Sequence, residues 1–494
     1  MDKQTLAWGV FGLYLIVTTG LAIAGMRRTT TLSGFALGNR DMGPWLVGVT
    51  LAAATASSAT FVINPGFVYA SGVSALLHFG VAGMGGVIFG LVVLSKGYRS
   101  LGTAHQALTL PHWLGARFQS PGLRTYMAIL NLAMAVAFVV LIIKGSALIM
   151  QHTLGLSYLA SVLLIVVFVF GYILIGGTYA HSYTNALQGT LMIGVALAIV
   201  ASGLPLLADG VGPFMAQLAA QDPNLVRPLN PGSALFHSAW EVFGCGFIVS
   251  VGLVCQPHIL IKSLYLKRDR DVNLYLAFSS GILLLFALIL TAGLFARVRF
   301  PELQTQDAVM AVYINSSFSP TLGVFISVAL LAAGMSTMDG ILVSASSIAG
   351  NDLVLGALGQ KLWPGRSQQA REKMALSASR WVLVLIGLGA TLMALDPPKY
   401  VGIFAQVTIY GLVSAVLPAM LFGIYSRTVD RRDVIVAAVL GPALHYMHYF
   451  YVRYGLDQPL QPAATAVEGT LLAIAYLGVT TWARRGAVSQ RARA

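Results

Sequence analysis

Residues 332–340 contain the side chains of this sequence that are best suited to hold a small, hard cation. The hydroxyls of Ser336 and Thr337 are hard oxygen ligands, and the carbonyl of Ala333 lies one turn earlier on the same helical face. Asp339 follows three residues after Ser336 and therefore lies near that face. Because an acidic side chain inside a long apolar segment is costly, we interpret Asp339 as part of a functional site; the alternative is an ion pair with a nearby Arg or Lys.

A second stretch, residues 53–66, combines small and hydroxylated side chains with a helix-breaking sequence. Pro65 has no N–H and frees the carbonyl of Phe61, and Gly66 allows the backbone to leave helical angles. Freed backbone groups in an apolar environment need a partner, which a bound cation and solute would supply. The alternative is a kink that neighbouring helices tolerate, with the small residues serving as a packing surface.

Lys144 is a basic residue inside an apolar segment. Either its stem packs in apolar surroundings while the ammonium reaches the outer interface, or the ammonium attracts a carboxylate solute. His181 and His258 fall at the ends of apolar segments, where a cap or hydrogen-bonding role is expected. The sequence contains no recognisable metal cluster, nucleophile triad or phosphate-binding loop.

Long apolar helices must position these residues. Hydrophobic residues make up 57% of the 494-residue chain, charged residues only 10%, and the mean hydropathy is +0.78. Soluble proteins carry roughly 25% charged residues, so this composition excludes a water-facing globular domain and predicts an all-α integral membrane protein. The predicted spans number thirteen: 6–26, 44–72, 75–95, 125–149, 158–177, 184–208, 236–261, 272–297, 323–347, 377–396, 401–425, 434–452 and 465–483.

The charge distribution predicts the orientation. The net charge of +13 is spread over short clusters between apolar runs, which argues against a nucleic-acid partner. With the N-terminus outside and the C-terminus in the cytoplasm, 23 of the 30 Lys and Arg residues face the cytoplasm, as the positive-inside rule requires.

Two blocks of five spans form an inverted repeat, because an odd number of spans makes the second block start from the opposite side. The first helix of each block is predicted to break, at Asn64-Pro65-Gly66 and at Gly244-Cys245-Gly246. Paired broken helices at matching positions of inverted halves indicate the central site of a transporter. The predicted division is 1–43 for a peripheral helix and loop, 44–208 and 236–425 for the repeats, 209–235 for an external loop, and 426–494 for two C-terminal helices and a basic tail.

Five stretches, in this order, resemble the sodium/solute symporter family, which includes bacterial proline, pantothenate, acetate and sialic acid transporters and the sodium–glucose transporters. The resemblance implies a leucine-transporter-type fold of two inverted five-helix repeats plus peripheral helices. The stretches are Phe35-Ala36-Leu37-Gly38-Asn39-Arg40, Ser57 through Pro65-Gly66, Gly176-Gly177-Thr178-Tyr179-Ala180 with Thr184-Asn185-Ala186-Leu187-Gln188-Gly189, Gln256-Pro257-His258-Ile259-Leu260, and Met335-Ser336-Thr337-Met338-Asp339.

The resemblance also implies which residues bind sodium and solute. The sodium ligands would be carbonyls before the first break and a carbonyl with two hydroxyls from the eighth core helix, namely Ala53, Ala56, Ala333, Ser336 and Thr337. The solute would lie near Ser57, Asn64, Gly66 and Gly244, with Lys144 as a candidate cation for its carboxylate. Asp339, Asn185 and Gln188 are the candidates for coupling and gating. Many relatives have Asp where this chain has Asn185, which keeps the hydrogen bonds but not the charge.

The predicted function is sodium-coupled import of a small organic solute by alternating access, and the expected solute is a carboxylate such as a monocarboxylate or pantothenate. Proton coupling on the same fold and a transporter-like solute sensor are the alternatives, and no acid–base constellation points to an enzyme. The expected partners are the solute, sodium and the lipid bilayer of a bacterial inner membrane. No cofactor beyond the sodium ion and no obligate protein partner are expected.

Overall fold

The protein is all-helical. The computed structural model describes residues 2–29, 31–57, 59–303, 305–397 and 401–491. Within these ranges, β-type pairing is confined to one isolated bridge between Met42 and Leu266. This agrees with the sequence, because only helices and closed barrels satisfy the backbone inside a membrane.

Nineteen helices are labelled here in chain order. They are α1 (Lys3–Met26), α2 (Leu32–Leu37), α3 (Pro44–Thr55), α4 (Ala59–Ser71), α5 (Val73–Ala104), α6 (Leu110–Arg117), α7 (Pro121–Leu154), α8 (Tyr158–Leu174), α9 (Gly177–Leu207), α10 (Val211–Gln221), α11 (Trp240–Leu253), α12 (Pro257–Tyr265), α13 (Asp271–Arg299), α14 (Val309–Ser317), α15 (Pro320–Leu358), α16 (Gln368–Leu395), α17 (Val401–Tyr425), α18 (Arg431–Gly455) and α19 (Pro462–Arg491).

Ten of the described helices are long and apolar enough to cross a membrane, and two bent pairs bring the number to twelve if each pair is one span. The pairs are α3 with α4 and α11 with α12. The predicted span 158–177 corresponds to α8, a shorter apolar helix that ends before the positive-φ residue Gly177. The count of thirteen therefore remains a prediction, whereas the all-helical membrane architecture is confirmed.

Both predicted broken helices are bent, but the bends lie elsewhere than predicted. The first bend, of 53°, follows Thr55, and the second, of 58°, falls between Leu253 and Pro257. Residues 64–66 and 244–246 lie inside continuous helical segments, so the predicted break positions were wrong by several residues.

Local helix geometry explains these positions. Pro65 stands in the first turn of the regular segment that follows a wider π-helical turn, where its missing N–H costs little. Gly244 lies inside another π-helical segment, Trp240–Cys245, and needs no break. Pro257 begins α12 after Gln256, whose extended backbone (ψ 141°) turns the chain. A proline at the first position of a helix is favourable, and it fixes where the second bend ends.

Helix α15 forms the centre of the bundle. Its most apolar stretch is 83% buried and that of α17 is 78% buried, against 28% for α1 and 33% for α16. Helix α15 packs on α1, α3, α7, α9 and α16, and α3 lies between α9, α13 and α15. The buried face of α3 and the interior of α15 therefore meet where the first bend occurs.

Side-chain contacts divide the loops between two ends of the molecule. One end, called the basic end, holds the turns joined by Arg99–Asp269, Arg124–Asp352 and the hydrogen bond from Arg117 to the Ser426 carbonyl. The opposite end holds the contacts Lys3–Asn315 and Lys144–Asp307. This grouping of the loops agrees with the one derived from the charge pattern.

Candidate ion and solute site

The hydroxyls of Ser336 and Thr337 meet the broken end of α3. Ser336 Oγ donates to the Ala53 carbonyl at 2.9 Å and to the Ala333 carbonyl at 2.8 Å, and Thr337 Oγ1 donates to the Ala54 carbonyl at 3.0 Å. All five residues are buried. Carbonyl and hydroxyl oxygens from two helices thus converge on one small volume.

The bend makes these carbonyls available. The last carbonyls of a helix have no intrahelical donor, and α3 ends at Thr55. The Ser57 N–H, which would bond Ala53 in a continuous helix, bonds the Thr55 carbonyl instead at 3.2 Å. Such carbonyls carry the negative end of the helix dipole, and unwound carbonyls and helix C-terminal ends are groups that coordinate sodium in transporters.

One predicted carbonyl differs from the arrangement found. The carbonyl of Ala54, which the sequence analysis does not single out, accepts the hydrogen bond from Thr337. Ala56 instead donates its N–H to the Ala52 carbonyl and lines a cavity beside the bend. The other four predicted residues, Ala53, Ala333, Ser336 and Thr337, lie together.

Helix α9 closes a third side of this cluster. A Cβ on Gly189 would lie 2.8 Å from Val49 and 3.2 Å from the Ala53 side chain, so the absence of a side chain allows α9 to approach α3. Met192 Sδ lies 4.0 Å from Ser336 Oγ. Asn185 is fully buried, and its Nδ2 is 3.5 Å from the Thr50 carbonyl.

Asp339 lies beyond the hydroxyl pair in the direction of the basic end. It is fully buried and accepts hydrogen bonds from the Tyr172 hydroxyl and from Thr184 Oγ1. The ammonium of Lys262 attracts its carboxylate electrostatically and is 2.6 Å from His181 Nε2. Asp339 therefore belongs to a buried polar layer of α8, α9, α12 and α15.

Gln188 extends this layer towards α1. Its Nε2 donates to the Tyr14 hydroxyl at 2.9 Å, and that hydroxyl contacts Met335 Sδ at 3.4 Å. Gln188 and Asp339 therefore both lie beside the helix segment that carries Ser336 and Thr337. The sequence pointed to this pair but not to Tyr14.

A cavity of about 150 Å³, called the central cavity, lies between the two bent helices and α17. The predicted residues Ser57 and Asn64 line it, and among the described residues no Lys, Arg, Asp or Glu does. Its remaining polar side chains, which the sequence did not assign to a site, are Thr55, Thr60, His78, Ser250, Gln256, Gln406 and Tyr410.

Three predicted solute residues lie outside the lining of this cavity. Gly66 packs against the backbone carbonyl of Gln306, too close for any side chain, and Gly244 packs against the Trp240 indole. Lys144 forms an ion pair with Asp307 at 3.0 Å, with side chains 13% and 6% exposed. The carboxylate beside Lys144 is thus one of the protein's own, and the side chain does not extend into solvent.

Lys262 is the clearest case of a residue that the sequence misplaced. It lies one residue beyond the predicted span 236–261, where a loop is expected, but it is fully buried in the second half of α12. The described residues include no group of three His, Cys, Asp or Glu side chains placed to hold a metal ion.

Comparisons with known proteins agree on one family. The family model described as the sodium:solute symporter family matches residues 35–441. A sodium/pantothenate symporter of Haemophilus influenzae is 28% identical over 437 residues, which are 87% of each chain. An osmoregulated proline transporter of Bacillus subtilis is 24% identical over 447 residues, covering 87% of this chain and 86% of the relative.

The fold is also shared with a solved transporter. The structure of a Na⁺-coupled sialic acid symporter superposes with a TM-score of 0.79 at 17% identity, covering 96% of this chain and 97% of that one. This likeness establishes the leucine-transporter-type fold. Because the family model covers most of the chain, including α3, α9, α12 and α15, the protein belongs to the sodium:solute symporter family.

Proposed function

We propose that this protein is a sodium-coupled symporter whose cation binds among Ala53, Ala54, Ala333, Ser336 and Thr337. The observation that carries the proposal is the contact of two hydroxyls of α15 with two carbonyls in the last turn of α3, next to its bend. Neutral oxygens of this kind, at the negative end of a broken helix, suit a monovalent cation.

The solute is proposed to bind in the central cavity beside this cluster. Drug-sized ligands occupy pockets of roughly 300–1,000 Å³, so a cavity of about 150 Å³ favours a solute of few heavy atoms. Pantothenate and proline, which the two relatives are named for, both carry a carboxylate. We therefore propose a small carboxylate, held by neutral groups such as Asn64, Gln256 and Gln406.

Lys144, Gly66 and Gly244 are proposed to act on the solute only through the packing of the cavity walls. Lys144 already holds Asp307, and the two glycines serve close contacts of α4 and α11. Coupling is assigned to the buried layer of Asp339, Gln188 and Asn185. Asp339 joins α15 to α9 through Thr184, Gln188 joins α9 to α1 through Tyr14, and Asn185 faces α3 from α9. These contacts lie next to the proposed cation ligands and change if the helices move apart.

The basic end is proposed to face the cytoplasm of a bacterial cell, which places the N-terminus outside and the C-terminus inside. Support comes from the positive-inside rule and from the clustering of the basic loops at one end of the molecule. A plasma-membrane location follows for a protein of this family in a bacterium.

Uptake into proteoliposomes tests the proposal. A thermal-shift screen with proline, pantothenate, lactate and pyruvate, with and without sodium, first identifies a solute. Accumulation of that solute should require an inward sodium gradient. Equal accumulation when potassium or choline replaces sodium, at constant voltage and pH, would contradict sodium coupling; accumulation driven by an inward proton gradient would favour proton coupling, and binding without accumulation would favour a sensor.

A further inference from the structure

The basic end contains a second cavity that the proposed transport site does not use. It has a volume of about 1,050 Å³ and is bordered by α2, the end of α5, α6, α7, the end of α15 and the start of α16. None of its lining residues belongs to the central cavity. We call it the basic cleft, because its lining includes Arg40, Arg124, Lys361 and Arg371 against one acidic residue, Glu372.

Arg124 is held rigidly in the wall of the basic cleft. Its Nε donates to Asp352 Oδ1 at 2.7 Å and its Nη2 to the Asn351 carbonyl at 2.7 Å. Asp352 is fully buried and also accepts from Thr109 Oγ1 at 2.6 Å. The guanidinium is therefore fixed before any ligand arrives, which reduces the entropy lost on binding.

The cations on the other side of the basic cleft have fewer polar partners among the described residues. The Nε of Arg371 is buried and has no hydrogen-bond partner among the described residues. Lys361 is exposed and forms no ion pair within the part of the chain that the structure describes. The carboxylate of Glu372 accepts from Gln368 at 3.1 Å. The cleft consequently carries an excess of positive charge that its own acidic residue does not neutralise.

Two lining residues have a backbone conformation that side chains rarely adopt. Arg40 has φ 56° and Gln106 has φ 50°, both in the left-handed region. A hydrogen bond from Arg40 Nη2 to the Ala107 carbonyl, at 3.2 Å, joins the two turns. Unfavourable backbone conformations persist where the surroundings enforce them and are concentrated at binding sites.

The imidazole of His112 adds no charge to the basic cleft near neutral pH. Burial, together with Arg124 and His105, lowers the pKa of His112 to about 4, so its imidazole is neutral. That imidazole accepts from the Leu108 N–H at 3.3 Å. Arginine and lysine supply the charge throughout the physiological range.

We propose that the basic cleft binds a phosphate-bearing anion. Guanidinium groups form bidentate, charge-assisted hydrogen bonds with phosphate oxygens, and four cations from separate segments surround a volume large enough for such a group. The phosphate belongs either to a soluble metabolite or to the headgroup of an anionic lipid. A bound anion would connect the loop before α3 with the turn after α15. Helices α3 and α15 are the two that hold the proposed cation site.

Binding of inorganic pyrophosphate to the purified full-length protein tests the soluble source. The thermal unfolding midpoint is measured against pyrophosphate concentration at constant ionic strength and pH 7. The wild-type protein should show a saturable rise, and the Lys361→Gln/Arg371→Gln variant should need about tenfold more ligand, because it loses charge-assisted hydrogen bonds. The matched control is Arg366→Gln/Lys373→Gln, which removes the same charge from neighbouring exposed positions outside the cleft.

A second measurement tests the lipid source. The three proteins are reconstituted in vesicles of phosphatidylcholine with phosphatidylglycerol, extracted, and analysed by native mass spectrometry for retained lipid. Selective loss of phosphatidylglycerol from the Lys361→Gln/Arg371→Gln variant supports a headgroup site. The proposal is overturned if neither pyrophosphate nor phosphatidylglycerol distinguishes this variant from the control. Should the double variant fail to fold, Lys361→Gln alone, at an exposed position, gives the same comparison against Lys373→Gln.

Discussion

Ser336 and Thr337 each provide a hydrogen bond and a possible metal ligand. A hydroxyl can donate its hydrogen to a carbonyl while its oxygen lone pairs remain available to a cation. Here the hydrogens go to Ala53 and Ala54, which hold the broken end of α3 against α15. Removal of either hydroxyl therefore takes away one oxygen ligand and loosens the attachment of one carbonyl.

Replacing Ser336 or Thr337 by Ala should raise the half-saturating sodium concentration roughly 5- to 30-fold, which corresponds to about 1–2 kcal/mol for one polar contact. Solute uptake against sodium concentration, normalised to reconstituted protein, measures this. Ser347→Ala is the matched control, because that hydroxyl bonds the Val343 carbonyl of its own helix at 2.8 Å. An unaltered sodium dependence in the Ser336→Ala/Thr337→Ala protein would refute the assignment.

Lys144→Met should destabilise the protein, because it leaves the nearly buried carboxylate of Asp307 without its ammonium. Breaking one side of such a pair costs about 3–5 kcal/mol. The unfolding midpoint should fall in this variant and recover largely in Lys144→Met/Asp307→Asn, which removes both charges.

The same pair of variants distinguishes the two roles of Lys144. If the lysine only neutralises Asp307, the double variant regains the wild-type half-saturating concentration of solute. A double variant that is stable but binds solute weakly would instead show that Lys144 contacts the solute.

Side-chain chemistry let the sequence predict part of this site but not all of it. Hydroxyls and an acid three residues apart on an apolar helix are visible in one segment, so the sequence predicts Ser336, Thr337 and Asp339 as site residues. Ala54 contributes only a carbonyl, and Lys262 is buried by partners on other helices. Such contributions depend on the backbone path and on tertiary contacts, which no residue type in the sequence reveals.

At the scale of the helices, the bends were predicted in the correct spans but at the wrong residues. Proline and glycine mark segments that can bend, yet Pro65 fits into the first turn of a helix and Gly244 into a π-helical turn. The first bend occurs at Ala56, where the α15 hydroxyls compete for the α3 carbonyls. That competition arises only in the folded bundle.

The two bent pairs are joined at the basic end. Met42, just before α3, forms a parallel bridge with Leu266, just after α12. The Met42 N–H donates to the Tyr265 carbonyl at 3.0 Å, and the Lys267 N–H donates to the Met42 carbonyl at 3.1 Å. If these ends must separate for the cation and solute to leave, a covalent link between them should stop transport.

A disulfide between Met42→Cys and Leu266→Cys tests this, in a protein whose two native cysteines, both buried, are replaced by Ala. Neighbouring β-type backbones lie about 4.7–4.9 Å apart, within the Cα separation of roughly 4.4–6.8 Å that a disulfide spans. Oxidation should reduce uptake about tenfold or more, and reduction should restore it. Each single-cysteine variant is the control, and full uptake by the cross-linked protein would show that these ends stay together during transport.

At the scale of the whole molecule, the family and fold were predicted correctly, and the expectation that the chain is not an enzyme is confirmed by its membership of a transporter family. Long apolar runs and the order of the motifs are properties of the sequence as a whole, so a wrong assignment of a single residue does not change the predicted family or fold. The number of spans was harder to predict, because α8 is shorter than the other spanning helices and is followed directly by α9.

One sodium per solute is the stoichiometry that the charges favour. Asn185 supplies no charge between α9 and α3, and Asp339 is already engaged by Tyr172 and Thr184. A second bare cation in this buried region would have little charge to offset its desolvation. Reversal potentials of the reconstituted protein, measured while the sodium gradient is varied against a fixed solute gradient, should fit a ratio of one, and a ratio of two or more would contradict this.

The burial of Lys262 has a consequence for how the chain is made. In the proposed orientation, this lysine belongs to the basic cluster with Lys267, Arg268 and Arg270 while the ribosome delivers α12, and its charge would help to retain that loop on the cytoplasmic side. Once the helices assemble, the same ammonium is enclosed beside His181 and Asp339. One residue therefore contributes first to the topology of biogenesis and afterwards to the interior of the mature transporter.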